Sequence, residues 1–266
     1  MKAEGAFFQL RKWYVDCVAA DGTTFIGYAA RISLGPVRLP YQACLRCPPS
    51  GSPRTSWAVG GGSPPTLNGE TLRWTSSRLG VRARWERQAP SVRRTLLDDD
   101  RLAVDWHCHL PAASAEVELS GEPPVTGLGY AEELIVQGDL RALPIHTLLW
   151  GRFIADGQAL TWIRWDGPRP LTLVVHNGQI HSEGSLDESG VSIPGGRGAL
   201  DLTERRVLRD SDLGRATFPD QAWLRRLIPP KLRDVHETKW LSRARWRRPG
   251  LPDLKGWAVH ERVQWP

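Results

Sequence analysis

The chain has 266 residues and a net charge of +6, with 41% hydrophobic residues, a size that suits one large β domain or two modest ones with real cores. No apolar stretch approaches the ~20 residues of a membrane span, and the opening MKAEGAFFQLRK lacks the apolar segment of a signal peptide. The thirteen tryptophans exceed the five phenylalanines and four tyrosines together, and tryptophan often lines pockets, although an Arg-rich composition (30 Arg against 5 Lys) also points to codon bias.

In chain order, the segment 12–34 (KWYVDCVAADGTTFIGYAARISL) reads as two strands joined by a two-residue turn at Asp21-Gly22. Cys44 and Cys47 form a lone CxxC at the end of a strand-like run, with no second CxxC or paired HxxxH, so we read it as structural or incidental. Residues 47–65 (CPPSGSPRTSWAVGGGSPP) read as a long flexible loop, a lid or a disordered segment. Strands follow at 70–77, 81–88, 101–110 and 115–121, and the Pro/Gly-rich stretch 111–124 suggests a boundary between units 1–118 and 119–266. Hairpins are predicted at Asp156-Gly157 and Asn177-Gly178, one short helix near 220–228 (stopped by Pro229-Pro230), and a closing strand in GWAVHERVQW. Many short strands and one helix predict an all-β chain of antiparallel barrels or sandwiches.

Strand periodicity sorts the candidate chemistry. In DWHCHL, Asp105, His107 and His109 share one face, an arrangement that holds a metal if His146, His176 or His181 adds a ligand. The alternative is a histidine that points into a cavity as an acid, base or hydrogen-bond donor. In GLGYAEELI, Gly127 and Gly129 permit a tight bend, Tyr130 and Glu132 share a face, and Glu133 points the other way. A carboxylic acid in an apolar cavity has its pKa raised and stays able to donate a proton near neutrality. Trp150 and Arg152 alternate in LLWGRF; a buried Arg152 needs an acid, and if Glu132 supplies it, Glu133, Asp105 or His107 is left as the proton donor.

The whole charge excess lies in residues 219–266, with eleven basic and five acidic side chains against 24 of each before them. Such a run is most often a solvated face; with Trp240 and Trp246 among its arginines it is also a candidate for peripheral membrane contact. No nucleic-acid-binding signature accompanies it.

These motifs resemble a known family. WYVDCVAADGTTF, DWHCH, GLGYAE, LWGRF and GWAVHERVQW are similar to segments of the lipocalin-like group that contains bacterial carotenoid 1,2-hydratases (hydroxyneurosporene synthases), AttH proteins and, more distantly, tocopherol cyclases. The resemblance implies two consecutive lipocalin- or calycin-like β units around an apolar pocket. It implies cofactor-independent protonation of an isoprenoid or polyene double bond, then hydration, isomerisation or cyclisation. Glu132 or Glu133 would be the acid, with Tyr130, His107, Asp105 and Arg152 ordering acid and water, and Trp13, Tyr14, Trp106 and Trp150 as walls. Departures stand beside it: Glu132 replaces an Asp, Leu134 and Val136 replace an Asn and a Gly, and the opening tryptophan pair is Lys12-Trp13. The expected location is cytoplasmic, with reduced thiols and no cofactor. The competing readings are a non-catalytic carrier of a lipophilic molecule and a metal enzyme built on Asp105, His107 and His109.

Overall fold

Alternation builds the sheets. In Thr71–Ser76 and Val81–Arg87, the buried Leu72, Trp74, Ser76, Val81, Ala83 and Trp85 alternate with the exposed Arg73, Thr75, Arg82 and Arg84, the period of a strand with one face on a core. A computed structural model describes residues 8–217 and 233–266, which divide into two units at Leu143/Pro144. The helix expected near 220–228 lies outside the described residues.

The first unit is one curled, ten-stranded antiparallel sheet. In chain order its strands are β1 (Phe8–Val18), β2 (Thr24–Leu34), β3 (Val37–Cys47), β4 (Arg54–Val59), β5 (Thr66–Asn68), β6 (Thr71–Ser76), β7 (Val81–Arg87), β8 (Val92–Asp98), β9 (Leu102–Leu119) and β10 (Val125–Gly138). Spatially they run β4-β3-β2-β1-β10-β9-β7-β6-β5, with β8 also on β9. Trp13, Val15, Cys17, Phe25, Trp74 and Trp85 belong to the core on its inner face.

The second unit is a nine-stranded sheet of β11 (Thr147–Ala155), β12 (Gln158–Asp166), β13 (Leu171–His176), β14 (Gln179–His181), β15 (Ser185–Asp187), β16 (Gly190–Ile193), β17 (Gly198–Asp212), β18 (His236–Arg248) and β19 (Leu251–Gln264). Their spatial order is β14-β13-β12-β11-β19-β18-β17-β16-β15. Phe153, Leu160, Trp162, Leu200 and Trp246 are in its core. The five-residue helix α1 (Leu213–Thr217) follows β17. No described helix is long and apolar enough to cross a membrane.

Several expectations change. The division falls at Leu143/Pro144, not at 118/119, because β10 pairs with both β1 and β9. Within 111–124, Pro111 does not end the strand. β9 runs on to Leu119, pairing with β8 before Pro111 and with β7 after it, and only residues 120–124 break the pattern, as the turn to β10. Pro111 sits at the register shift between Leu110 and Ala113, where the ladder makes no demand on its missing N–H. Residues 47–65 are not structureless, since β4 pairs along β3. The loop at Asp21-Gly22 is longer than two residues, spanning 19–23, with Asp21 accepting from the Thr23 backbone N–H at 2.8 Å and from its hydroxyl at 3.0 Å. The other two hairpins turn as the sequence reads. Asp156 and Gly157 (φ 38° and 73°) and Asn177 and Gly178 (φ 49° and 82°) each join adjacent strands in a two-residue loop.

Candidate functional site

β10 carries the first unit's chemistry because its glycines let β1 and β9 close on it. A Cβ at Gly129 would lie 2.6 Å from the Asp16 carbonyl oxygen, 2.6 Å from Trp85 Cδ1 and 2.7 Å from the Ala115 Cβ. That bare backbone lets the Trp85 indole donate to the Asp16 carbonyl at 2.7 Å. Just beyond, register shifts around Ala131 aim the next side chains.

Tyr130 and Glu132 share one face and Glu133 takes the other. On the face opposite the core, Glu132 Oε2 accepts from the Tyr130 hydroxyl at 2.7 Å and from the Trp106 indole at 2.6 Å. Register sets Tyr14 beside Glu132 and Asp16 beside Tyr130. Tyr14 donates to Asp16 at 3.0 Å, and its ring meets Tyr28 at 5.6 Å and Tyr130 at 6.1 Å between centroids. Asp16 is fully buried and Glu132 is 7% exposed. Burial, with the adjacent Cys108 and Glu132, holds the Tyr130 phenol well above its ordinary pKa, so it stays a neutral donor.

On the inner face, Glu133 lies beside Trp13 and His107 in register and receives Arg11, whose Nη2 is 3.2 Å from Oε2. His109 Nε2 lies 3.7 Å from the same carboxylate, and the His109 ring stacks on Trp13 at 4.5 Å and meets His107 at a tilt, 3.6 Å between centroids. Burial pulls the Glu133 pKa up, but His109 and Arg11 outweigh it and leave the carboxyl below its usual value. Glu133 is thus a carboxylate, not a proton donor. Burial, the His109 ring and Arg93 push His107 down to about 4, so it is neutral at physiological pH. Next to this cluster a cavity of about 200 Å³ opens between Arg11, Trp13, Arg31, Tyr41, Gln42 and Pro64.

Asp105 stands apart from both clusters, accepting from Thr95 at 2.7 Å. His146, His176 and His181, the further metal ligands considered, belong to the second unit. Among the described residues no group of three or more His, Cys, Asp or Glu side chains could hold a metal, so the metal reading on Asp105, His107 and His109 is corrected. All four cysteines are buried and none is in a disulfide.

In the second unit Trp150 and Arg152 lie on one face of β11, 5% and 1% exposed, and Arg152 Nη1 donates to the Trp257 carbonyl at 3.3 Å. Lys239 is also 1% exposed. It pairs with Glu261, lies 3.4 Å from Glu237, and sits 5.4 Å from the Trp150 ring centre. Arg209 reaches the two Glu237 oxygens at 2.7 and 2.8 Å. Lys239, Glu237, Arg11 and Asp16 are not among the residues expected from the sequence. The available signal was charge at alternate positions in HETKWLS, a strand otherwise built for burial. Trp240 and Trp246, read as membrane-facing, are buried and offer no rings to a surface. Lys239→Met is expected to cost about 3 kcal/mol, because it removes the buried ammonium that lies between the buried Glu237 and the partly buried Glu261. The urea midpoint reads this, and adding Glu261→Gln should recover part of the loss.

The two curled sheets define a chain of two lipocalin-like half-barrel units. No family model matches the chain, and no curated protein does. Solved structures do. Kievitone hydratase from Nectria haematococca is similar over 98% of this chain and 89% of its own, with a TM-score of 0.55 and 12% identity. CghA in complex with Sch210972 matches over 96% and 88%, at 0.56 and 11%. A candidate AttH from Nitrosomonas europaea matches over 98% and 93%, at 0.55 and 10%.

Proposed function

We propose that the chain is a cofactor-independent enzyme of the hydro-lyase type that adds water to, or removes it from, a carbon–carbon double bond of a hydrophobic substrate. One observation carries the reading. Tyr14 and Tyr130 each donate to a buried carboxyl group, Asp16 and Glu132 respectively, and their rings meet each other and, through Tyr14, Tyr28. A neutral phenol held against a buried carboxyl group is a proton relay. Tyr130 gives its proton to the substrate carbon, the protonated Glu132 carboxyl re-protonates Tyr130, and the resulting Glu132 carboxylate takes the proton released when water is captured. Dehydration runs the same transfers backwards, from the leaving oxygen. Surrounding rings tolerate positive charge that develops on carbon, and a site shut off from bulk water strengthens each of these interactions. The likeness in fold to kievitone hydratase supports the same reaction class. An isoprenoid or polyene is the substrate class we favour, and isomerisation or cyclisation is the same relay without water capture.

The test is turnover of a panel of isoprenoid and polyene alcohols and alkenes in ¹⁸O-labelled water. Wild type should place label in the product of at least one, while Glu132→Gln and Tyr130→Phe should each lower kcat by about 10²–10⁴-fold. Unchanged turnover in Glu132→Gln would sink the relay.

A further inference from the structure

The inner-face cavity of the first unit is not used by that relay, since Trp13 and Arg11, which line it, lie on the opposite side of the sheet from Tyr130 and Glu132. Its mouth is unusual in charge. Arg11 and Arg31 are direct cross-strand partners on β1 and β2, and both line the cavity. Like charges placed opposite each other destabilise a sheet unless something compensates them. Glu133 compensates Arg11. Arg31 makes no ion pair among the described residues, so the rim carries one surplus positive charge.

Two rings and three prolines stand in the lining beside this charge. Trp13 is backed by the His109 ring, Tyr41 faces the same space, and Pro40 and Pro64 close it. Gln42 is held at both ends, donating to the Ser63 carbonyl at 3.0 Å and accepting from Ser76 at 2.7 Å. That clamp fixes the loop containing Gly60, Gly61 and Gly62, all at positive φ (73°, 70° and 84°). Any side chain at Gly62 would meet the Gln42 amide, 2.5 Å from the Cβ. Gly62 is therefore a fixed part of the cavity wall.

We propose that this cavity is a second binding site, specific for a small aromatic carboxylate: one ring against Trp13 and Tyr41, its carboxylate on Arg31 and Arg11. The size suits it, since a protein cavity of about 150 Å³ holds benzene and this one measures about 200 Å³. The Arg11–Glu133 pair leaves a guanidinium edge for a second acceptor, and Arg31 supplies the charge-assisted contact that acetate alone would share but toluene would not.

Benzoate, acetate and toluene are titrated into the full chain, followed by indole N–H shifts in NMR spectra of tryptophan-labelled protein. Benzoate is expected to saturate and to move the Trp13 signal, with acetate and toluene each at least about tenfold weaker. Arg31→Gln, a change at an exposed position, should weaken benzoate by about tenfold or more, and Glu132→Gln should leave it unaltered. Equal binding to wild type and Arg31→Gln, no saturation by benzoate, or loss of benzoate binding in Glu132→Gln would each overturn the proposal. Because the readout is binding, its failure is distinct from failure of the relay, which is read by turnover.

Discussion

Gly129→Ala is expected to destabilise the first unit by on the order of 3 kcal/mol, a large effect for one added methyl group. The Cβ would press on three neighbours at once, and two of them cannot yield cheaply: the Asp16 carbonyl is ladder backbone, and the Trp85 ring is buried and tied by its own N–H to that carbonyl. Overpacking of this kind costs about 1–3 kcal/mol in a well-packed core, and more where backbone must move. Relief requires β1 to withdraw from β10, which also separates Asp16 from Tyr130. Urea unfolding followed by tryptophan fluorescence measures the loss. A midpoint within error of wild type would show that the β1–β10 contact is not tight.

The second large effect is acid lability of the second unit. His260 is 4% exposed, is hydrogen-bonded to the buried Ser242 at 2.8 Å, and stacks on Trp240 at 5.2 Å. Burial first, then Arg205 and Lys239, pushes its pKa down to about 3. Between its ordinary value near 6.5 and about 3, the unfolded chain binds a proton that the folded chain refuses. The contribution of neutral His260 is complete above 6.5 and is lost as the pH falls, the loss reaching on the order of 3 kcal/mol at pH 4. His107 acts with the same sign in the first unit. Denaturant midpoints measured from pH 7 to pH 4 should fall less steeply in His260→Gln than in wild type. Parallel slopes would mean that other groups carry the acid response.

Local chemistry was legible in the sequence and long-range pairing was not. Asp156-Gly157 and Asn177-Gly178 announce their hairpins because a turn of that type needs positive φ at two adjacent positions, a demand met by the residues themselves. The parting of Glu132 from Glu133 follows from the two-residue period of a strand. By contrast, Arg11 meets Glu133 and Tyr14 meets Glu132 across strands more than a hundred residues apart, and no local pattern encodes that register. The same blindness hid Lys239, whose partner Glu261 lies on the next strand. Pro111 misled for another reason. Proline punctuates a strand only where its N–H is needed, and here a register shift removes the need.

The matching strand orders carry a consequence for biosynthesis. In each unit the first strand lies at mid-sheet against the last, β1 on β10 and β11 on β19. Neither sheet can be completed from hairpins made as the chain emerges, because its central seam waits for the final strand and closes the longest loop in the unit. The first seam is available once Gly138 has left the ribosome, while the second waits for Gln264. During that interval β11 presents an unpaired edge, the kind of surface on which nascent chains aggregate or recruit chaperones.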